Sequence, residues 1–239
     1  MRRTCHWHVV IPPAKPARGR PREPRRAARE APCARPALGY APLIRPPACE
    51  FFYDFSSPYS YLAASRVDDV LPVQPAWQPI AFGVIVQRSG RVPWSFAEDR
   101  RAHFQEIDRR ATARGLQPLR YPQGWPRETY SLTPLLAALL AAEADMLRQV
   151  SIELYRAMFV HGRSFADVQT TLDAVERAGM DRAQVRAGLK RQDIKDRLRA
   201  ATDDAIGRGV TGVPTVAVGE DLFWGDDRLH AAADALAAA

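Results

Sequence analysis

Phe51-Phe52-Tyr53-Asp54-Phe55-Ser56-Ser57-Pro58-Tyr59-Ser60-Tyr61-Leu62-Ala63 is the stretch on which the fold turns. Its first half is a short apolar run with strand character, over about residues 50–55. Beyond it, apolar residues recur at Tyr59, Leu62, Ala63, Val67, Val70 and Leu71, which is helical spacing and predicts a helix over about 58–71. Ser57 stands at the N-cap and Pro58 at the first helical position, where a missing N–H costs nothing. A strand therefore leads directly into a helix N-terminus.

Working outward, Val73-Gln74-Pro75-Ala76-Trp77-Gln78-Pro79-Ile80 reads as a second strand over about 74–81. Its prolines cannot donate to a ladder and argue for an edge position or an irregular end. Four helical stripes follow. They are Leu132/Leu135/Leu136/Leu139/Leu140, Leu147/Val150/Leu154/Met158/Phe159, Val168/Leu172/Val175 and Ile194/Leu198/Ala201/Ala205, each read as core-facing. Strand character returns at Val213–Val218 and Leu222–Trp224, with Gly219-Glu220-Asp221 as the hairpin loop. A last helix starts near Asp226. Strands separated by helices imply an α/β layered fold. Residues 50–83 and 206–239 would form one sheet domain, interrupted by an all-helical insertion over 84–205.

The 239-residue chain, 46% hydrophobic, is long enough for one well-buried domain carrying such an insertion. No run reaches the roughly 18 apolar residues of a membrane span. Its net charge of +7 is concentrated at one end. Residues 1–50 hold 11 Lys+Arg against 3 Asp+Glu, whereas the rest hold 23 against 24. A neutral body argues against nucleic-acid binding. Residues 1–49 also hold 10 of the 20 prolines and little apolar pattern, so a disordered Arg/Pro-rich extension is expected. It lacks the apolar core of a secretory signal, and its prolines oppose the amphipathic helix of a transit peptide. The working protein is expected to begin near Cys49. Cys5, Cys33 and Cys49 are the only cysteines, so the body needs no disulfide framework, which fits a cytoplasmic setting. Cys5-His6-Trp7-His8 is read as incidental rather than as a metal site. His103, His161 and His230 have no metal-ligand spacing and read as surface or packed residues.

The motif Phe52–Ala63 resembles the opening of the 2-hydroxychromene-2-carboxylate isomerases and of their relatives, the kappa-class glutathione transferases. A second block, Gly212-Val213-Pro214-Thr215 and then Trp224-Gly225-Asp226-Asp227-Arg228-Leu229, is similar to theirs in order and spacing. The resemblance runs from about residue 50 to the C-terminus and implies a thioredoxin-like, DsbA-like sheet. In thioredoxin-like proteins the Ser57–Ser60 position carries Cys-x-x-Cys. Here both positions are serine, so dithiol redox chemistry is excluded and a thiol must come from elsewhere.

The resemblance implies that this thiol is glutathione's. A free thiol has a pKa near 8.5 and is mostly protonated at neutral pH. A helix N-terminus and the Ser57 hydroxyl both favour the anion. Lowering the thiol pKa by one unit takes about 1.4 kcal/mol. The alternative is that Ser57 only caps its helix, and Ser60 reads as a first-turn residue. Pro214 matches the family's cis-proline, which implies that the Val213 backbone pairs with the cysteinyl unit. Trp224, Gly225, Asp226 and Asp227 match a segment that contacts glutathione, with Asp226 standing where the isomerases carry Asn. For the co-substrate, Arg91 or Arg100 could bind a carboxylate, and Trp125 could stack on an aryl ring or simply fill the rim. The implied reaction is cis–trans isomerisation of a small aromatic substrate through a thiolate adduct, with glutathione regenerated. A transferase that consumes glutathione and a redox-inactive binding module are the alternatives. Relatives commonly dimerise, so a homodimer is expected by resemblance.

Overall fold

The computed structural model describes residues 49–238. The expected extension, with Cys5, Cys33 and the Cys5-His6-Trp7-His8 stretch, lies outside the described residues. Cys49 instead opens the first strand, β1 (Cys49–Tyr53), where it is buried and desolvation pushes its thiol pKa up.

β1 is followed by α1 (Pro58–Ala64), α2 (Val67–Val70) and β2 (Ala76–Pro79). Between β2 and the next strand lie α3 (Phe82–Ser89), a 3-10 turn at Trp94–Phe96, α4 (Arg101–Ala113), α5 (Leu132–Ala142), α6 (Leu147–Phe159), α7 (Val168–Arg177), α8 (Arg182–Gly188) and α9 (Gln192–Gly207). The chain closes with β3 (Thr215–Val218), β4 (Asp221–Trp224), a 3-10 turn at Asp226–Arg228 and α10 (Leu229–Ala238). The strands form a mixed sheet in the order β2-β1-β3-β4. β1 runs parallel to β2 and antiparallel to β3, and β4 is antiparallel to β3. This is the thioredoxin-like α/β arrangement with helices inserted into it.

The proline argument for β2 holds: Pro79 ends the strand, and β2 lies at the sheet edge. The helix expected over 58–71 is broken. Arg66 leaves helical geometry (φ −147°, ψ −5°), and the Ser65 hydroxyl donates to the Leu62 carbonyl at 2.9 Å. A side chain that bonds back to its own turn in this way competes with the helical ladder. The apolar spacing continues across the break because α1 and α2 both face the core.

β1 alternates between two cores. Cys49, Phe51 and Tyr53 face one with Val216 and Val218, while Phe52 faces the other with Ala217, Val213, Ile80, Ile85 and Ala205. Burying each such aromatic contributes about 1.5–3 kcal/mol. Phe51 and Tyr53 stack on each other and meet Trp77, Phe55 and Tyr155 edge-on or tilted, and the Tyr53 hydroxyl is satisfied by Ser151 at 2.7 Å. The helical stripes are buried as expected, except that Leu132 at the first position of α5 is 56% exposed and Leu147, Val168 and Ala201 are half-buried. Among the described residues no helix is long and apolar enough to cross a membrane.

Candidate active site

The sheet's central strands deliver the two motif blocks to one place. After β1 the backbone turns through Asp54, and the Ser57 N–H donates to the Asp54 carbonyl at 3.2 Å. Ser57 (φ −97°, ψ 117°) is the N-cap of α1, and its Oγ accepts from the Ser60 N–H at 3.2 Å. Pro58 has no N–H, and the Tyr61 N–H goes to the Ser57 carbonyl at 3.2 Å. Tyr59 therefore holds the one first-turn N–H without an acceptor among the described residues. The Ser57 hydroxyl proton points at the Val213 carbonyl across 3.5 Å, at the outer limit of a hydrogen bond. Val213–Pro214 is a cis peptide. Ser60 is fully buried, and its Oγ has no partner among the described residues.

Asp54 was not singled out in the sequence reading, yet it anchors this turn. It is fully buried, and its Oδ1 accepts from the Ser56 N–H (2.7 Å) and the Ser56 hydroxyl (2.8 Å). Its Oδ2 accepts from the Phe82 N–H at the start of α3 (2.9 Å) and from the hydroxyl of Ser131, the N-cap of α5 (3.0 Å). Burial pushes the carboxyl pKa up, and these four donors oppose the rise. The only sequence signal was a charge set inside an apolar run.

The second block closes the other side. The Gly225 N–H donates to the Pro214 carbonyl at 2.9 Å, and Gly225 adopts φ 123°, a value that favours glycine. The Trp224 indole lies directly against Gly212, where a Cβ would sit 2.5 Å from Nε1. Gly212→Ala should therefore displace the indole and cost about 1–3 kcal/mol, read as a lower denaturant midpoint; an unchanged midpoint would contradict this contact.

Asp226 and Asp227 part company. Asp226, proposed from the sequence as a ligand contact, is turned inward and buried. Its Oδ1 lies 2.5 Å from Arg110 Nη1, and its Oδ2 lies 2.6 Å from Arg114 Nη1 as an ion pair without hydrogen-bond alignment. The charge expected to disturb the site is thus neutralised by two arginines of α4 and its C-cap. Asp227 remains accessible, its side chain 57% exposed and 3.5 Å from Arg110 Nη2. Burial alone would lower the pKa of Arg110, but Glu106 and Asp226 more than offset that and hold it firmly charged. Hydrogen bonds from Arg109 and Arg110 bring Glu106 down to about 2.

The three residues offered for a co-substrate each make a separate contact. Arg91 stacks on Trp224, its guanidinium carbon 5.0 Å from the ring centroid. Arg100 is the N-cap of α4 and donates to the Ser95 carbonyl at 3.4 Å, which gives it a local structural contact. Trp125 comes to the site: its Nε1 donates to the Ser56 carbonyl at 3.4 Å. Its ring lies 4.8 Å from Tyr121 and 5.8 Å from both Trp94 and Phe104. Trp94 in turn stacks on His103 at 4.6 Å, and His103 Nδ1 meets the Tyr59 hydroxyl at 3.0 Å. An aromatic wall therefore runs from Ser56 to α4, with His103 packed into it. Trp125 was offered from the sequence, whereas Arg110, Arg114 and the packing of Tyr121, Phe104 and His103 into this wall were missed because their partners lie far away in sequence.

The matching family model is the DsbA-like thioredoxin domain, over residues 48–237. Glutathione S-transferase kappa 1 of Homo sapiens is 25% identical over 201 residues, covering 77% of this chain and 88% of that protein. The 2-hydroxychromene-2-carboxylate isomerase of Pseudomonas putida is 27% identical over 194 residues, covering 75% of this chain and 89% of that protein. A solved structure of a 2-hydroxychromene-2-carboxylate isomerase superposes with a TM-score of 0.70 at 22% identity, over 80% of this chain and 94% of that one. With its Ser-Pro-Tyr-Ser turn opposite a cis-proline on a β2-β1-β3-β4 sheet, the chain belongs to the DsbA-like thioredoxin domain family.

Proposed function

We propose that this protein is a glutathione-dependent isomerase of the 2-hydroxychromene-2-carboxylate type. The observation that carries the reading is the Ser57 hydroxyl. It is buried, fixed by the Ser60 N–H, and its proton has only a 3.5 Å contact with Val213. A thiolate placed there would accept a charge-assisted hydrogen bond from that hydroxyl, which keeps its proton. When bound, glutathione supplies the sulfur nucleophile that adds to an electron-poor carbon and is released afterwards.

The chain's own residues fit such a thiol peptide at its cysteinyl end. The Val213 N–H has no acceptor among the described residues and can pair with the peptide's backbone, as an added strand would. The accessible Asp227 carboxylate suits a glutamyl ammonium, whereas Asp226 serves by holding the Gly225–Arg228 turn to α4. Trp224 walls the peptide site, and Trp125, held at Ser56 by its indole edge, offers an aromatic ring to a small aromatic co-substrate. The name of the human relative supports glutathione use, and that of the Pseudomonas putida relative supports the isomerase reading. A cytoplasmic setting and a homodimer belong to the same reading.

A second reading, a kappa-like transferase, gains from the placement of the arginines. Arg100 is tied to Ser95 and Arg91 lies on Trp224, so each guanidinium already has a protein contact that a chromene carboxylate would have to replace. The two readings differ in bookkeeping of the thiol: the isomerase recycles glutathione and the transferase consumes it.

Calorimetry of glutathione binding over pH 6 to 9, on wild type and Ser57→Ala, tests the shared premise. Proton release near neutrality that disappears in Ser57→Ala is expected. No heat and no proton release from wild type would overturn both enzyme readings.

A further inference from the structure

Asp54 has no part in holding a thiol, yet its hydrogen bonds join everything around the site. One oxygen fixes Ser56 through both its N–H and its hydroxyl; the other holds the start of α3 and the N-cap of α5. The Asp54 carbonyl accepts from Ser57 N–H at 3.2 Å and from the Tyr155 hydroxyl of α6 at 3.3 Å. Ser56, held this way, presents its own carbonyl to the Trp125 indole at 3.4 Å. The serine of the thiol site and the aromatic wall are thus both tied to one buried residue, Ser57 through its main-chain carbonyl and Trp125 through the carboxylate that holds Ser56.

We propose that Asp54 is a positioning residue that sets the spacing between the Ser57 hydroxyl and the Trp125 ring, and so between a bound thiolate and its aromatic co-substrate. The inference rests on the glutathione reading for its consequence, but the geometry it asserts can be read without glutathione. Asparagine at this position must turn an N–H₂ towards either the Ser56 or the Phe82 N–H, so one of these backbone donors loses its acceptor while the serine hydroxyl beside it can turn to accept. With the amide turned to Ser56 that turn is free to shift directly, and with it turned to Phe82 the carboxamide loses its anchor at the start of α3 and carries Ser56 with it; either way Trp125 follows.

The test compares wild type with Asp54→Asn by hydrogen exchange of the tryptophan indole N–H groups, assigned with Trp125→Phe. Trp77, whose Nε1 donates to Asp68 at 3.3 Å, is the internal control for general loosening. Several-fold faster exchange at Trp125, with Trp77 unchanged, is expected. On addition of glutathione, the thiolate absorbance should titrate about one pH unit higher in Asp54→Asn, a tenfold smaller thiolate fraction well below the pKa. An unmoved Trp125, or equal acceleration at both indoles, overturns the proposal whatever glutathione does. A moved Trp125 with an unshifted thiolate titration overturns it too, since the spacing would not reach the sulfur. Where wild type shows no thiolate at all, the function reading fails by itself and the indoles alone decide. Should Asp54→Asn not fold, Ser56→Ala keeps the carboxylate and its ties to α3 and α5, and the same indole comparison decides.

Discussion

Ser57→Ala should lower glutathione-dependent turnover on the order of 10²–10³-fold while removing only about 1 kcal/mol of stability. The two numbers come from different jobs of one oxygen. As a cap it accepts the Ser60 N–H at 3.2 Å, and loss of an N-cap oxygen costs roughly 1 kcal/mol. As a donor it has a proton held only weakly by the Val213 carbonyl at 3.5 Å, so nearly all of that bond is available to a sulfur anion. Loss of one preorganised donor to a developing or resident anion in a buried site typically costs two to three orders of magnitude. Steady-state kinetics and urea unfolding on the same preparation separate the two effects. A variant whose turnover falls no further than its stability loss explains would reduce Ser57 to a helix cap.

Asp226→Asn should destabilise the protein by about 3 kcal/mol, even though asparagine is the residue of the isomerases that the motif resembles. Asp226 is buried between Arg110 and Arg114, both themselves largely covered. Removing the carboxylate charge leaves Arg114 without its acidic partner beside Arg110, which keeps Glu106, and breaking such a pair from one side costs several kcal/mol. Arg114→Met in the Asp226→Asn background should recover part of the loss by removing one stranded charge. Unfolding by guanidinium chloride, run as a double-mutant cycle, measures the coupling. Unchanged stability in Asp226→Asn would show that the triad contributes nothing.

The contrast between these two sites also explains what could be read from sequence. The β1–α1 junction was legible because its information is local: an apolar run, a capping serine, a proline one residue on. The edge placement of β2 was legible for the same reason, since Pro79 cannot donate wherever it stands. The break at Ser65 and Arg66 was hidden because the core-facing period runs on through Val67 and Val70. Asp226 was misplaced because its partners sit on α4, and Asp54 was overlooked because its donors come from the turn, α3 and α5. Contacts made across the fold leave no local spacing to recognise.

The sheet order has a consequence for biosynthesis. Phe51 in β1 pairs on one side with Trp77, made soon after it, and on the other with Val216, made when the chain is nearly finished. During translation one edge of the most apolar strand therefore stays open while every inserted helix is being added. Such non-local pairing slows folding and leaves an aggregation-prone edge exposed. Overexpression at low temperature or with added chaperone should raise the soluble yield, and truncation before β3 should leave β1 without its antiparallel partner.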